Sequence, residues 1–66
     1  MNIVLYSTHC PKCKVLEMKL KQKNIGFEEI NDVDIMVEKG FKSAPVLEVN
    51  DVAYGFKEAV EWIKEQ

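Results

Sequence analysis

The sequence predicts an α/β fold: a small mixed sheet flanked by helices, in the order β-α-β-α-β-β-α. Three observations carry this expectation. Short apolar runs rich in β-branched and aromatic residues lie near the start of the chain (Ile3-Val4-Leu5-Tyr6) and in its second half (Val46 to Val49, Val52 to Tyr54). Between and after them, apolar residues recur at helical spacing. The last two runs are separated only by Asn50-Asp51, which reads as a two-residue hairpin turn.

Asn2 to Tyr6 reads as a short buried strand, its Ile3-Val4-Leu5-Tyr6 run apolar without alternation. Ser7-Thr8-His9 forms the loop that follows. His9 has two readings, a surface loop histidine or a residue that tunes or assists the cysteine beside it. Pro11 to about Asn24 is the first helix. Cys13, Leu16 and Leu20 fall on one stripe, with Val15 and Met18 expected to widen its apolar face, and Asn24 with Gly26 nearby supplies a stop. Phe27 to Ile30 is the second strand. Val33 to Lys39 is a brief helix after the cap-type residues Asn31, Asp32 and Asp34; Gly40 ends it, and Val33, Met36 and Val37 form its expected apolar face. Pro45 has no N–H for a ladder, so it begins the third strand or sits at its edge. Gly55 breaks the chain before a last helix, Phe56 to Glu65, with Phe56, Ala59, Val60 and Ile63 on one stripe and Trp62 packing beside it. The first β-α-β requires a right-handed parallel crossover.

The chemistry of the chain is concentrated in Cys10-Pro11-Lys12-Cys13. Pro11 suits the first helical position, where its missing N–H would lack a partner anyway. Cys10 then stands at the N-cap, facing unpaired amides and the positive end of the helix dipole, which favour a thiolate. Cys13 lies one turn inside and is expected to be the more sheltered sulfur, ionising outside the range of Cys10. A C-x-x-C pair has three readings: a redox couple, half of a metal site, or a structural coincidence. Its place after a strand and at a helix start favours the redox couple.

With 66 residues, one domain spanning 1–66 is expected, near the lower size limit for a single core; 47% hydrophobic residues is consistent with such a core. The formal charge of −2 argues against a nucleic-acid partner. Charge is unevenly spread: residues 1–23 hold five lysines against one glutamate, and residues 24–66 hold four lysines against ten acids. Lys12, Lys14, Lys19, Lys21 and Lys23 form a solvated helix face, which is compatible with steering an acidic partner toward the cysteines. No apolar run approaches the roughly 20 residues that cross a bilayer, and Met1 to Tyr6 does not read as a secretory leader. Cytoplasmic residence is the expectation, and there a cysteine pair is more often catalytic or metal-binding than structural.

Taken together, a strand, C-P-x-C at a helix start, Ser43-Ala44-Pro45 before a hairpin, and Tyr54-Gly55-Phe56 opening the last helix resemble the glutaredoxin family, on a thioredoxin-like fold. The resemblance spans nearly the whole chain. It implies a thiol–disulfide oxidoreductase with Cys10 as nucleophile and Cys13 as resolving thiol. It implies a cis Ala44–Pro45 bond, with His9, Pro11, Lys12, Ala44, Pro45, Tyr54 and Gly55 as substrate-binding positions. No tightly bound cofactor or metal is expected. The implied partners are protein disulfides and either glutathione or a thioredoxin reductase as electron source, with the protein acting as a monomer. The chain departs from the family in its short Ser7-Thr8-His9 loop, where many members carry a lysine, in Lys12 where many have tyrosine, and in Tyr54-Gly55 where many have a glycine pair. Those departures weigh against glutathione. The alternative function is a metal or iron–sulfur binding or delivery module built on the same two cysteines.

Overall fold

A computed structural model describes residues 2–8 and 10–66. Its elements are β1 (Ile3–Tyr6), α1 (Pro11–Gln22), β2 (Glu28–Ile30), α2 (Val33–Glu38), β3 (Val46–Val49), β4 (Val52–Tyr54) and α3 (Phe56–Lys64). This is the expected order. The four strands form one mixed sheet in the order β2-β1-β3-β4. β1 pairs in parallel with β2 and antiparallel with β3, and β3 pairs antiparallel with β4. Central β1 is buried at all four positions, which explains its unbroken apolar run.

Alternation along the strands assigns two apolar layers. Ile3, Leu5, Leu47 and Val49 face Leu16 and Leu20 of α1 and Ala59 and Ile63 of α3. Val4, Tyr6 and Val46 face Met36 of α2. Helices α1 and α3 lie side by side in the same direction. Lys12 Nζ stands 5.5 Å from the Phe56 ring centroid at their starts, and Lys23 Nζ donates to the Gln66 carbonyl (3.3 Å) at their ends. On the α2 layer, Glu48 gathers a polar tie: Tyr6 OH donates to it (3.3 Å), and Lys39 Nζ approaches it at 3.1 Å while lying 5.3 Å from the Tyr6 ring centroid.

Local chemistry sets the element ends. At the end of α1, Asn24 takes a positive φ of 57°. Its N–H donates to the Lys21 carbonyl and that of Ile25 to the Leu20 carbonyl, so two end-of-helix carbonyls gain partners. Gly40, with φ 82°, does the same for α2, and the following Phe41 packs edge-on against Tyr6 at 5.1 Å. In the hairpin, Asn50 and Asp51 both adopt positive φ, 49° and 69°, the combination that a primed two-residue turn requires.

Two expectations fail, both on helix faces. Val15 and Met18 do not widen the α1 core stripe; they are exposed, as are Val33 and Val37 of α2. Each helix has only part of its circumference covered, α1 by the sheet and α3, α2 by the sheet alone. Ile35, rather than Val33 or Val37, packs beside Met36.

The start of α2 depends on Asp32, whose carboxylate accepts the Asp34 N–H at 2.9 Å. Asp32→Ala is expected to cost about 1 kcal/mol. For a domain of this size that lowers Tm by roughly 4–8 °C. Thermal unfolding followed by circular dichroism checks it, and an unchanged Tm would show that the cap contributes nothing.

Candidate active site

β1 ends at Tyr6 and delivers the chain to Cys10, the N-cap of α1, which has extended backbone angles (φ −75°, ψ 164°). Pro11 occupies the first turn, as its fixed φ and missing N–H favour. The Cys13 N–H donates to the Cys10 sulfur at 3.3 Å, so the cysteine caps the helix with its own side chain. Cys10 is half-buried, whereas Cys13 is fully enclosed. Their sulfurs stand 2.6 Å apart, in a hydrogen bond that either one can donate. A disulfide bond is about 2.05 Å long, so the two sulfurs already stand close to bonding distance. The first turn carries no acidic side chain, and nothing there opposes negative charge beside the free amides.

Burial pushes the Cys13 thiol up. Hydrogen bonds from the Cys10 side chain, the Thr8 main chain, the Ser7 side chain and the Cys10 main chain outweigh it, and the Cys13 pKa falls below its ordinary value. The lowered direction thus falls on the sheltered sulfur, where the sequence reading did not place it.

The other anticipated positions separate into two groups. Lys12 lies over Phe56 and joins the cysteine turn to the start of α3. Gly55 is the N-cap of α3 and makes no side-chain capping bond. A Glu58 carboxylate oxygen lies 3.7 Å from where a side chain on Gly55 would begin, so the start of α3 carries a negative charge. The Ala44–Pro45 bond is cis. Ala44 shares a groove of about 200 Å³ with Thr8, Val33, Val37 and Phe41, running from the cysteine loop along α2. Tyr54 stands apart from this groove: it packs on the α1–α3 layer and lines a separate cleft along α3 with Glu58 and Trp62. His9 lies outside the described residues. Among the described residues, no cluster of three or more His, Cys, Asp or Glu is arranged to hold a metal ion. No helix of the described chain is long and apolar enough to cross a membrane.

Ser7 and Asn31 were not singled out from the sequence. Ser7 is 1% exposed, its N–H donates to the Ile30 carbonyl (3.0 Å), and its carbonyl accepts from Asn31 Nδ2 (3.2 Å). The available signal was alternation: Ile3, Leu5 and Ser7 continue one face of β1, the face that α1 covers.

Two curated proteins align along most of this chain. Both are named glutaredoxin-like protein NrdH, one from Lactococcus lactis subsp. lactis (strain IL1403) and one from L. lactis subsp. cremoris (strain MG1363). Each is 35% identical over 63 residues, covering 83% of this chain and 88% of the relative. The chain belongs to the glutaredoxin-like family. Its four-stranded mixed sheet and three helices are those of a thioredoxin-like fold. No family model matches the chain. As a glutaredoxin-like protein with two adjacent sulfurs, it is a redox protein of the general thiol–disulfide oxidoreductase class.

Proposed function

We propose that this protein is a dithiol electron carrier that reduces protein disulfides. The observation that carries the reading is the asymmetric pair: one partly accessible sulfur at a helix N-cap, 2.6 Å from a fully enclosed one. In the first step the Cys10 thiolate attacks a substrate disulfide. A Cys10–substrate bond forms, the substrate S–S bond breaks, and the released sulfur leaves as a thiolate that takes a proton from solvent. In the second, the Cys13 thiolate attacks Cys10, the intramolecular disulfide forms, and the remaining substrate sulfur leaves. Two electrons pass to the substrate, and the protein ends oxidised. Ala44 and Pro45, beside the cysteine loop, dock the substrate backbone, and the apolar groove along α2 receives the residues flanking its cysteine.

A thioredoxin reductase, rather than glutathione, resets the pair on this reading. Glutathione carries two carboxylates that need positive charge or free amides. Glu58 puts a negative charge in the first turn of α3, 3.7 Å from the Cβ position of Gly55, and disfavours an anion at that helix start. The loop also presents Ser7 and Thr8 where many relatives hold a lysine, removing one charge-assisted contact. Loss of one such contact weakens binding about ten- to a hundredfold.

Turnover on insulin disulfides tests both parts, with NADPH and thioredoxin reductase in one arm and NADPH, glutathione and glutathione reductase in the other. The expected result is saturable turnover in the first arm and slow turnover in the second. Efficient glutathione-driven reduction, saturating below millimolar glutathione, would overturn the assignment of the reductant. Stoichiometric bound metal with no turnover in either arm would overturn the redox reading in favour of a metal-binding module.

A further inference from the structure

β3 is apolar at Val46, Leu47 and Val49 and carries one charged residue, Glu48. Alternation turns Glu48 to the side of the sheet that α2 covers, the side of Val4, Tyr6 and Val46. A carboxylate in such a place is costly unless it is paired and hydrogen-bonded. Glu48 is both, and its side chain is only 12% exposed. Tyr6 OH donates to Oε1 at 3.3 Å, and Lys39 Nζ donates to Oε2 at 3.1 Å and to Oε1 at 3.3 Å. Lys39 Nζ also lies 5.3 Å from the Tyr6 ring centroid, within reach of a cation–π contact.

These contacts join parts of the chain that meet at the groove beside the cysteine loop. Lys39 is the C-cap of α2, and Glu48 lies on β3 three residues beyond Pro45. Their ion pair therefore ties together the two ends of the α2–β3 connection. That connection supplies Phe41, Lys42, Ser43 and Ala44 to the groove lining. Phe41 is held from behind, because its ring packs edge-on against buried Tyr6 at 5.1 Å. A line of contacts thus runs from Lys39 and Glu48 through Tyr6 to the groove wall. Neither Lys39 nor Glu48 lines the groove itself.

We propose that Glu48 and Lys39 are positioning residues for substrate docking: through Tyr6 their ion pair fixes the Phe41 wall and the segment that carries Ala44, and so sets the affinity for a disulfide held in a peptide chain. The inference rests on the redox reading above. The pair takes no part in the exchange of sulfur bonds, so its effect falls on docking and not on the rate once the substrate is bound.

Single-turnover oxidation of the reduced protein separates the two. Insulin presents its disulfides in a peptide chain and uses the groove, whereas 4,4′-dithiodipyridine is a small uncharged disulfide that does not need it. Glu48→Gln and Lys39→Gln are each expected to raise the half-saturating insulin concentration about three- to tenfold, the scale of one hydrogen bond. Both should leave the saturated rate and the dithiodipyridine rate within about twofold. The two substitutions change the net charge in opposite senses, so a long-range charge effect on insulin would move them in opposite directions. The double variant should be no weaker than Glu48→Gln alone, since both changes remove one interaction. Lys39 is exposed, so its replacement leaves the folded protein available for the measurement. Half-saturation within twofold of wild type in either single variant overturns the inference, even where Tm falls, because the pair is then merely structural. Opposite shifts in the two variants, or equal slowing with both oxidants, overturn it as well. A wild-type protein that leaves insulin disulfides intact would instead sink the redox reading, and the inference with it.

Discussion

Cys10→Ser is expected to abolish disulfide reduction, with a fall of at least about a thousandfold, the scale seen when an enzyme loses its nucleophile. An alcohol at the N-cap satisfies the Cys13 N–H as well as the sulfur does, so the helix start survives and the loss is chemical. Cys13 does not take over, because it is fully enclosed and no substrate disulfide reaches it. Cys13→Ser behaves differently. It retains the accessible sulfur, forms the mixed disulfide and stalls there, since nothing remains to attack Cys10. Non-reducing electrophoresis after incubation with insulin should show a covalent adduct for Cys13→Ser and none for Cys10→Ser. The reverse pattern would exchange the two roles.

Leu47→Ala is expected to be the most damaging substitution away from the cysteines. Leu47 is fully buried on β3, pairs with Leu5 across the centre of the sheet, and faces the α1–α3 layer. Removing such a side chain costs about 3–4 kcal/mol. The total stability of a domain this small is roughly 3–10 kcal/mol. Tm should therefore fall by roughly 12–30 °C, or the chain should fail to fold at ambient temperature. Val37→Ala is the control: Val37 is 66% exposed, so its loss should stay within about 0.5 kcal/mol. Equal effects of the two on thermal unfolding would contradict the assignment of the core.

Features set by neighbours in sequence were legible in advance. Pro11 at the first helical position, Asp32 before α2, Gly40 after it and Asn50-Asp51 in the hairpin each reflect backbone preferences of a few adjacent residues, and each appears where it was expected. The cis Ala44–Pro45 bond was legible only through family resemblance, because local chemistry leaves trans favoured. Features set by distant packing were misread. Val15, Met18, Val33 and Val37 sit at helical spacing beside buried residues, yet the width of a helix's covered stripe depends on how many neighbours flank it. Ser7 looked like loop polarity. Its enclosure arises because β1 alternation carries on past Tyr6 beneath α1, and because Asn31, twenty-four positions away, reaches back to hold it. The Glu58 carboxylate beside Gly55 is a local feature that spacing alone permits, since it lies three residues into the helix.

The central claim is that Cys10 and Cys13 act as one two-electron couple. The most direct measurement is intact mass and peptide mapping of the reduced protein after reaction with one equivalent of a disulfide substrate, quenched by alkylation. The account predicts a monomer two hydrogens lighter, without alkyl groups on either cysteine, whose Cys10 and Cys13 are joined to each other. A protein that stays reduced with both cysteines alkylated, or one that ends as a stable adduct on Cys10 with Cys13 still free, would contradict it.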